Sequence, residues 1–200
     1  MGFFSTFKTL KRLVVTLLQP KKGNLLIAKP TIIGDASFNR SVVLLAEENE
    51  HGFVGFVLNK PSEFKVSDLV PHVNNPFPVF NGGPVEQNNL YFIHKKPELI
   101  PNSIEISTGI YWGGDFEIIS VLLQNNSLKA QDIRFFLGYA GWDAGQLQEE
   151  LELDSWIVAE NNYNNSIISK SHKSFWREKM IELGGDYLLW SNAPENPALN

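Results

Sequence analysis

Two hundred residues, 43% hydrophobic and 12% aromatic, are enough for one domain with a core that needs no metal or disulfide. The chain has no cysteine, which excludes a disulfide framework, a thiolate zinc site, an iron–sulfur cluster and a cysteine nucleophile. A net charge of −5 argues against nucleic-acid binding over the whole surface.

The charge is unevenly spread. Before Asp35 there are six basic residues (Lys8, Lys11, Arg12, Lys21, Lys22, Lys29) and no acidic one. The remainder holds eleven basic and twenty-two acidic side chains and so carries −11. In the basic head, Phe3, Phe7, Leu10, Val14, Leu17 and Leu18 recur at helical spacing, and Pro20 and Gly23 stop the pattern. Residues 1–22 therefore read as a basic amphipathic helix. It packs on the body or on a second copy in a homodimer, lies on a membrane surface or anionic partner, or stays loose as a terminus. The apolar run Leu13–Leu18 is too short for a membrane span or a signal-peptide core.

The next elements are mostly strands. Asn24–Ala28 is short and apolar, and Lys29–Asn39 is a loop of turn formers. Ser41–Ala46 and Phe53–Leu58 are β-branched and apolar, predicting a buried hairpin. Val66–Val70 reads as one helical turn, and Val79–Phe80 and Leu90–His94 as strands around the turn Asn81-Gly82-Gly83-Pro84. Ile104–Ile110 reads as one strand, and Phe116–Leu123 as a helix capped by Asp115. Ile133–Tyr139 is apolar on both faces and should be central. Ala144–Leu153 reads as a helix, Trp156–Ala159 as a strand, and Lys173–Leu183 as a helix ended by Gly184. Residues 23–190 thus form one domain and 191–200 a loose tail. Clustered strands, in place of strict βαβ alternation, favour an α+β fold over a doubly wound sheet.

Residues 134–151, RFFLGYAGWDAGQLQEEL, form the most specified junction. Gly138 and Gly141 sit where a side chain would clash or forbid the backbone angle. Asp143 and Gln146 have capping-box spacing, which starts the helix just after Trp142. Ala144, Leu147 and Leu151 then face inward, while Gln148, Glu149, Glu150 and Glu152 face water. The Trp142 ring fills the corner and its N–H seeks a carbonyl. The glycine spacing matches neither a phosphate loop nor a dinucleotide fingerprint.

The segment GYAGWDAGQL resembles the signature of the YqgE/AlgH family of bacterial proteins. GNLLIAKPTIIGDASFNRSVVLLAE, GFVGFVLNKP and FNGGPV resemble its preceding blocks, and Trp156 and the Trp176–Gly184 segment its C-terminal part, so the likeness spans roughly residues 23–190. The signature residues Gly138, Tyr139, Gly141, Trp142 and Gln146 then carry a structural role. Many members have a histidine near Ala46–Glu48, where this chain's closest is the displaced His51. The resemblance implies a compact α+β domain with a curved, mostly antiparallel sheet, in a cytoplasmic bacterial protein. The family is often labelled as transcriptional regulators, and the resemblance brings no mechanism.

No catalytic constellation stands out. The four histidines (His51, His72, His94, His172) lack metal-ligand spacing, and no G-x-S-x-G exists. Neither a metal nor another cofactor is implied. Ser41 reads as a hydroxyl bonded to backbone. Asp35 and Arg40 are the best polar pair, either pinning their loop as an ion pair or placing Arg40 in an anion pocket floored by Gly82 and Gly83. Arg134 is a second candidate of the same kind. Three functions stay open. The first is a non-enzymatic binding or regulatory domain with a small anion or a protein as partner. The second is an enzyme for a small anionic or phosphorylated substrate, using Asp35, Arg40 and His51 or His94. The third is nucleic-acid binding through the basic N-terminal helix.

Overall fold

The computed structural model describes residues 18–32 and 35–192. Most of the predicted N-terminal helix and tail lies outside them. Gly23, with φ 90°, turns the chain into the domain where the sequence predicts a stop. The elements, in order, are β1 (Leu25–Ala28), β2 (Val42–Asn49), β3 (Gly52–Val57), β4 (Pro61–Lys65), α1 (Val66–Leu69), β5 (Pro78–Asn81) and β6 (Val85–His94). There follow β7 (Ile104–Ser107), β8 (Ile110–Trp112), α2 (Phe116–Gln124), β9 (Ile133–Asp143), α3 (Gln146–Glu152) and β10 (Trp156–Ala159). A 3-10 helix (Asn164–Ser169), α4 (Phe175–Leu183) and α5 (Tyr187–Ser191) complete the domain.

The fold is α+β, with one mostly antiparallel sheet ordered β10-β1-β2-β3-β9-β6-β8-β7. Period-two alternation explains its two buried faces. Leu25, Ile27, Val42 and Leu44 point to one side, against Phe175, Trp176 and Met180 of α4. Leu26, Ala28, Val43 and Leu45 point to the other, against Trp142, Leu147 and Trp156. A third cluster packs Ile119 and Leu123 of α2 and Val66 of α1 against Val79, Phe92 and Phe135. Asp115 caps α2 as predicted, accepting from Glu117 N at 3.0 Å and Ile118 N at 3.4 Å.

β9 organises the sheet. Residues Phe135–Leu137 pair with β5 in parallel and with β6 antiparallel, so β5 and β6 occupy opposite edges. The link from Asn81 to Val85 must therefore cross over β9. It crosses at Gly138–Tyr139, backbone against backbone. A Cβ on Gly82 would lie 2.2 Å from Gly138 O, one on Gly83 2.2 Å from Tyr139 C, and one on Gly138 2.5 Å from Val85 O. Gly82 N donates to Leu137 O at 2.8 Å, and Val57 N donates to Gly82 O at 2.8 Å. Gly82 thus splices β3 and β5 along one edge of β9.

Several expectations need correction. Ile104–Ile110 is a hairpin, not one strand, because Gly109 turns at φ 76°. β9 runs on to Asp143, so Gly138 and Gly141 lie within a strand and not at a corner. Helix α3 begins at Gln146 after Gly145 (φ 84°), and only half of the predicted capping box forms, with Asp143 N donating to Gln146 Oε1 at 3.0 Å. Ala144 is exposed. Glu150 does not face water freely. Its Oε2 accepts from Trp142 Nε1 at 2.9 Å and Trp156 Nε1 at 2.7 Å, and Gln146 Nε2 donates to Oε1 at 2.9 Å. The two indoles are nearly buried, and one carboxylate oxygen accepts from both in charge-assisted hydrogen bonds. The buried Ser41 hydroxyl has no hydrogen-bond partner among the described residues, contrary to its expected backbone bond.

Gly138 and Gly145 both have positive φ, but nothing lies within 4 Å of a Cβ on Gly145. Gly145→Ala should cost about 1–2 kcal/mol, the usual left-handed penalty. Gly138→Ala adds a backbone clash and should cost at least about twice as much by urea denaturation. Equal costs would contradict the crossing geometry.

Candidate functional site

Three adjoining cavities open beside the crossing. The central cleft, about 440 Å³, is lined by Arg40, Lys60, Lys173 and Arg177, with His172 and Trp176 among its walls. A second, about 340 Å³, is walled by Phe77, Pro78, Phe80, Ile133 and Ile168, with Arg134, Lys170 and His172. A third, about 290 Å³, includes Ser37, Lys60, Asn81, Gly83 and Gln87. His172 joins the first to the second, and Lys60 joins the first to the third. Among the described residues, no aspartate or glutamate lines any of the three. Six of the eleven basic residues after Asp35 line these cavities, in a stretch whose net charge is −11.

Local structure holds these cations in place. Asn59 Nδ2 donates to Arg40 O at 2.8 Å, and Asn59 Oδ1 accepts from Val42 N at 2.8 Å. Lys60 follows, and its carbonyl accepts from Asn81 N at 2.8 Å. The Arg40 loop, Lys60 and the glycine crossing are thereby tied together. Trp176 Nε1 donates to Ala28 O at 2.7 Å and anchors the start of α4 on the sheet. The Arg40 guanidinium lies over that indole, 4.9 Å from the ring centroid, a cation–π contact that keeps it at the cleft wall. Arg177 Nε donates to Ser191 O at 3.0 Å.

Arg134 is a staple. It is nearly buried, donates from Nη1 to Leu58 O at 3.0 Å and from Nη2 to Lys170 O, and lies 4.7 Å from the Phe80 ring. Burial pushes its pKa down to about 10, so it stays charged at neutral pH. His172 stands edge-on to Phe80 at 5.6 Å. Burial first, then the charges of Arg134 and Lys173, hold its pKa below the ordinary histidine value.

The residues picked from sequence separate into two groups. Arg40 lines the central cleft, whereas Gly83 lines the third cavity, and Lys60 is the residue they share. Gly82 and Gly83 are buried, and the Gly82 N–H is committed to Leu137 O. Asp35 is exposed, and its Oδ1 accepts from Ser37 N at 2.8 Å and Phe38 N at 3.0 Å, shaping the loop. Phe38 from the same loop packs on Trp142 and Trp156 at 5.9 and 5.3 Å. Gly138, Tyr139, Gly141, Trp142 and Gln146 line none of the three cavities.

Of the histidines, His51 is exposed on the β2–β3 turn, 3.6 Å from Glu50. His94 is buried, 3.2 Å from Gly113 O and accepting from Lys96 N at 3.1 Å. Neither reaches Arg40's cleft; His172 does. Lys60, His172, Lys173 and Arg177 carried no local signal, because only the tertiary fold brings them together. Among the described residues no group of three or more His, Asp or Glu could hold a metal, and no helix is long and apolar enough to cross a membrane.

The AlgH-like family model matches residues 25–188. A UPF0301 protein of Chlorobium phaeobacteroides is 40% identical over 181 residues, 90% of this chain and 96% of its own length. Another, from Chlorobium luteolum, is 39% identical over 201 residues, with full coverage of both chains. Among solved structures, a Corynebacterium diphtheriae protein superposes with TM-score 0.69 at 24% identity, over 88% of this chain and 94% of its own. The AlgH protein from Pseudomonas aeruginosa gives 0.67 at 23%, over 86% and 94%. At such identities these two establish the likeness of fold alone.

The His172 shift sets a pH dependence. Its folded pKa lies below the unfolded value near 6.5, so the unfolded chain binds the proton first as pH falls. Its contribution to stability is intact above about pH 6.5 and is lost as pH falls from there through the folded pKa. NMR titration of the ring should place His172 below the ordinary value, and Lys173→Ala should move it upward. An unshifted His172 that ignores Lys173→Ala would contradict the electrostatics described.

Proposed function

The chain belongs to the AlgH-like family, and we propose that its role is non-enzymatic binding, with a small anion seated in the Arg40–Lys60–Lys173–Arg177 cleft. One observation carries this reading: in an acidic domain, cations line three joined cavities and, among the described residues, no aspartate or glutamate lines them. Basic side chains brought to one opening attract an entering phosphate or carboxylate, and two unit charges 4 Å apart interact by about 4 kcal/mol at an effective dielectric of 20.

The glycine turn is the weaker seat, since its donor is spent inside the sheet. Arginine offers a planar fork for a bidentate anion contact, and lysine a mobile point charge beside it. The regulatory role suggested by the family resemblance fits a domain that responds to an anionic metabolite. The cysteine-free sequence is compatible with a cytoplasmic setting.

Inorganic phosphate titrated into the labelled protein at low salt should shift resonances of Lys60, His172 and Lys173 saturably. Bound anion should also raise the His172 pKa. Lys60→Ala and Lys173→Ala should each weaken binding roughly tenfold, the scale of one charge-assisted contact. Lys129→Ala, outside the three cavities, should leave it unchanged. Uniform, unsaturable shifts, or equal affinity in all variants, would reject the reading.

A further inference from the structure

The cleft does not stand alone. On the far side of His172 lies a cavity of different chemistry, walled by Phe77, Pro78, Phe80, Ile133 and Ile168. Phe77 is half-buried and keeps part of its ring available, while Phe80 is a nearly buried floor held by Arg134 and His172. At its rim stand the exposed Gln131, Ser169 and Ser171. Glutamine offers both a donor and an acceptor, so it can read a polar ring edge.

A free phosphate would use only the cationic cleft. Two cavities sharing one wall suit a ligand with two unlike parts: a flat ring with polar edge atoms, and an anion. Four lining cations match more than one negative charge, which favours a phosphoryl group over a lone carboxylate. Volumes of about 340 and 440 Å³ together fall in the range of ordinary small-molecule sites. Aromatic side chains bind nucleobase faces with little regard to base identity.

Resting on the anion reading of the cleft, we infer that the two cavities form one nucleotide site, with the base beside Phe77 and Gln131 and the phosphates between Arg40, Lys60 and Lys173. His172 marks the junction, where the sugar passes.

The test compares pyrophosphate with ADP, GDP and UDP by calorimetry and NMR on the full chain. At least one diphosphate nucleotide should bind about tenfold or more tightly than pyrophosphate, the scale of one stacked base. It alone should shift Phe77 and Gln131. Phe77→Ala should abolish the advantage over pyrophosphate while leaving pyrophosphate affinity unchanged. The exposed Gln131→Ala should reduce that advantage and serves if Phe77→Ala fails to fold. Nucleotides binding no tighter than pyrophosphate, with Phe77 and Gln131 silent, would overturn the nucleotide assignment and leave the anion site standing. Absence of binding by every probe would overturn both.

Discussion

The passage of Asn81–Val85 across β9 constrains everything around it. A strand that pairs with β5 on one edge and β6 on the other leaves the three-residue link between them no route except over its backbone. Only residues without a Cβ tolerate that approach, and Gly82, Gly83 and Gly138 meet there. Two glycine-rich stretches more than fifty residues apart are therefore two halves of one contact. The NGGP turn and the LGYAG strand each exist to let the other pass.

The crossing also sets the charge distribution. It fixes Asn81, which bonds the Lys60 carbonyl, and Lys60 follows the Asn59 that holds the Arg40 loop. Trp176 pins α4 to β1 and brings Lys173 and Arg177 to the same opening. Each link is a hydrogen bond from a backbone, asparagine or indole N–H to a backbone carbonyl, and together they bring cations from three distant parts of the chain to one opening. The signature around Trp142 works on the opposite face of the sheet. There Glu150 bridges two indoles and Phe38 packs between them, supporting the Arg40 loop from beneath. The signature residues Gly138, Tyr139, Gly141, Trp142 and Gln146 line none of the three cavities.

Much of this fold is legible in the sequence because its strands are short, apolar and well punctuated. The central position of Ile133–Tyr139 follows from its two apolar faces, and the start of α2 from Asp115. Other features depend on partners far along the chain. Glu150 lies in an acidic run that looks solvated, and only the meeting of Trp142 with Trp156 shows why it is held. Gly109 inside Ile104–Ile110 turns a strand into a hairpin that propensity alone does not split. Arg40 is recognisable as a polar residue between apolar strands, but its companions are not. Lys60 looks like the end of a strand and His172 like a loop histidine. Their proximity is a property of the tertiary fold, which no local pattern encodes.

A crystal structure with tungstate, a phosphate mimic visible by its anomalous signal, tests most directly the proposal that the cleft beside the crossing seats an anion. Tungstate should occupy a dominant site within hydrogen-bonding reach of Arg40, Lys60 and Lys173 in the cleft beside His172. A dominant site elsewhere on the domain, or an empty cleft in crystals holding tungstate at other positions, would contradict it.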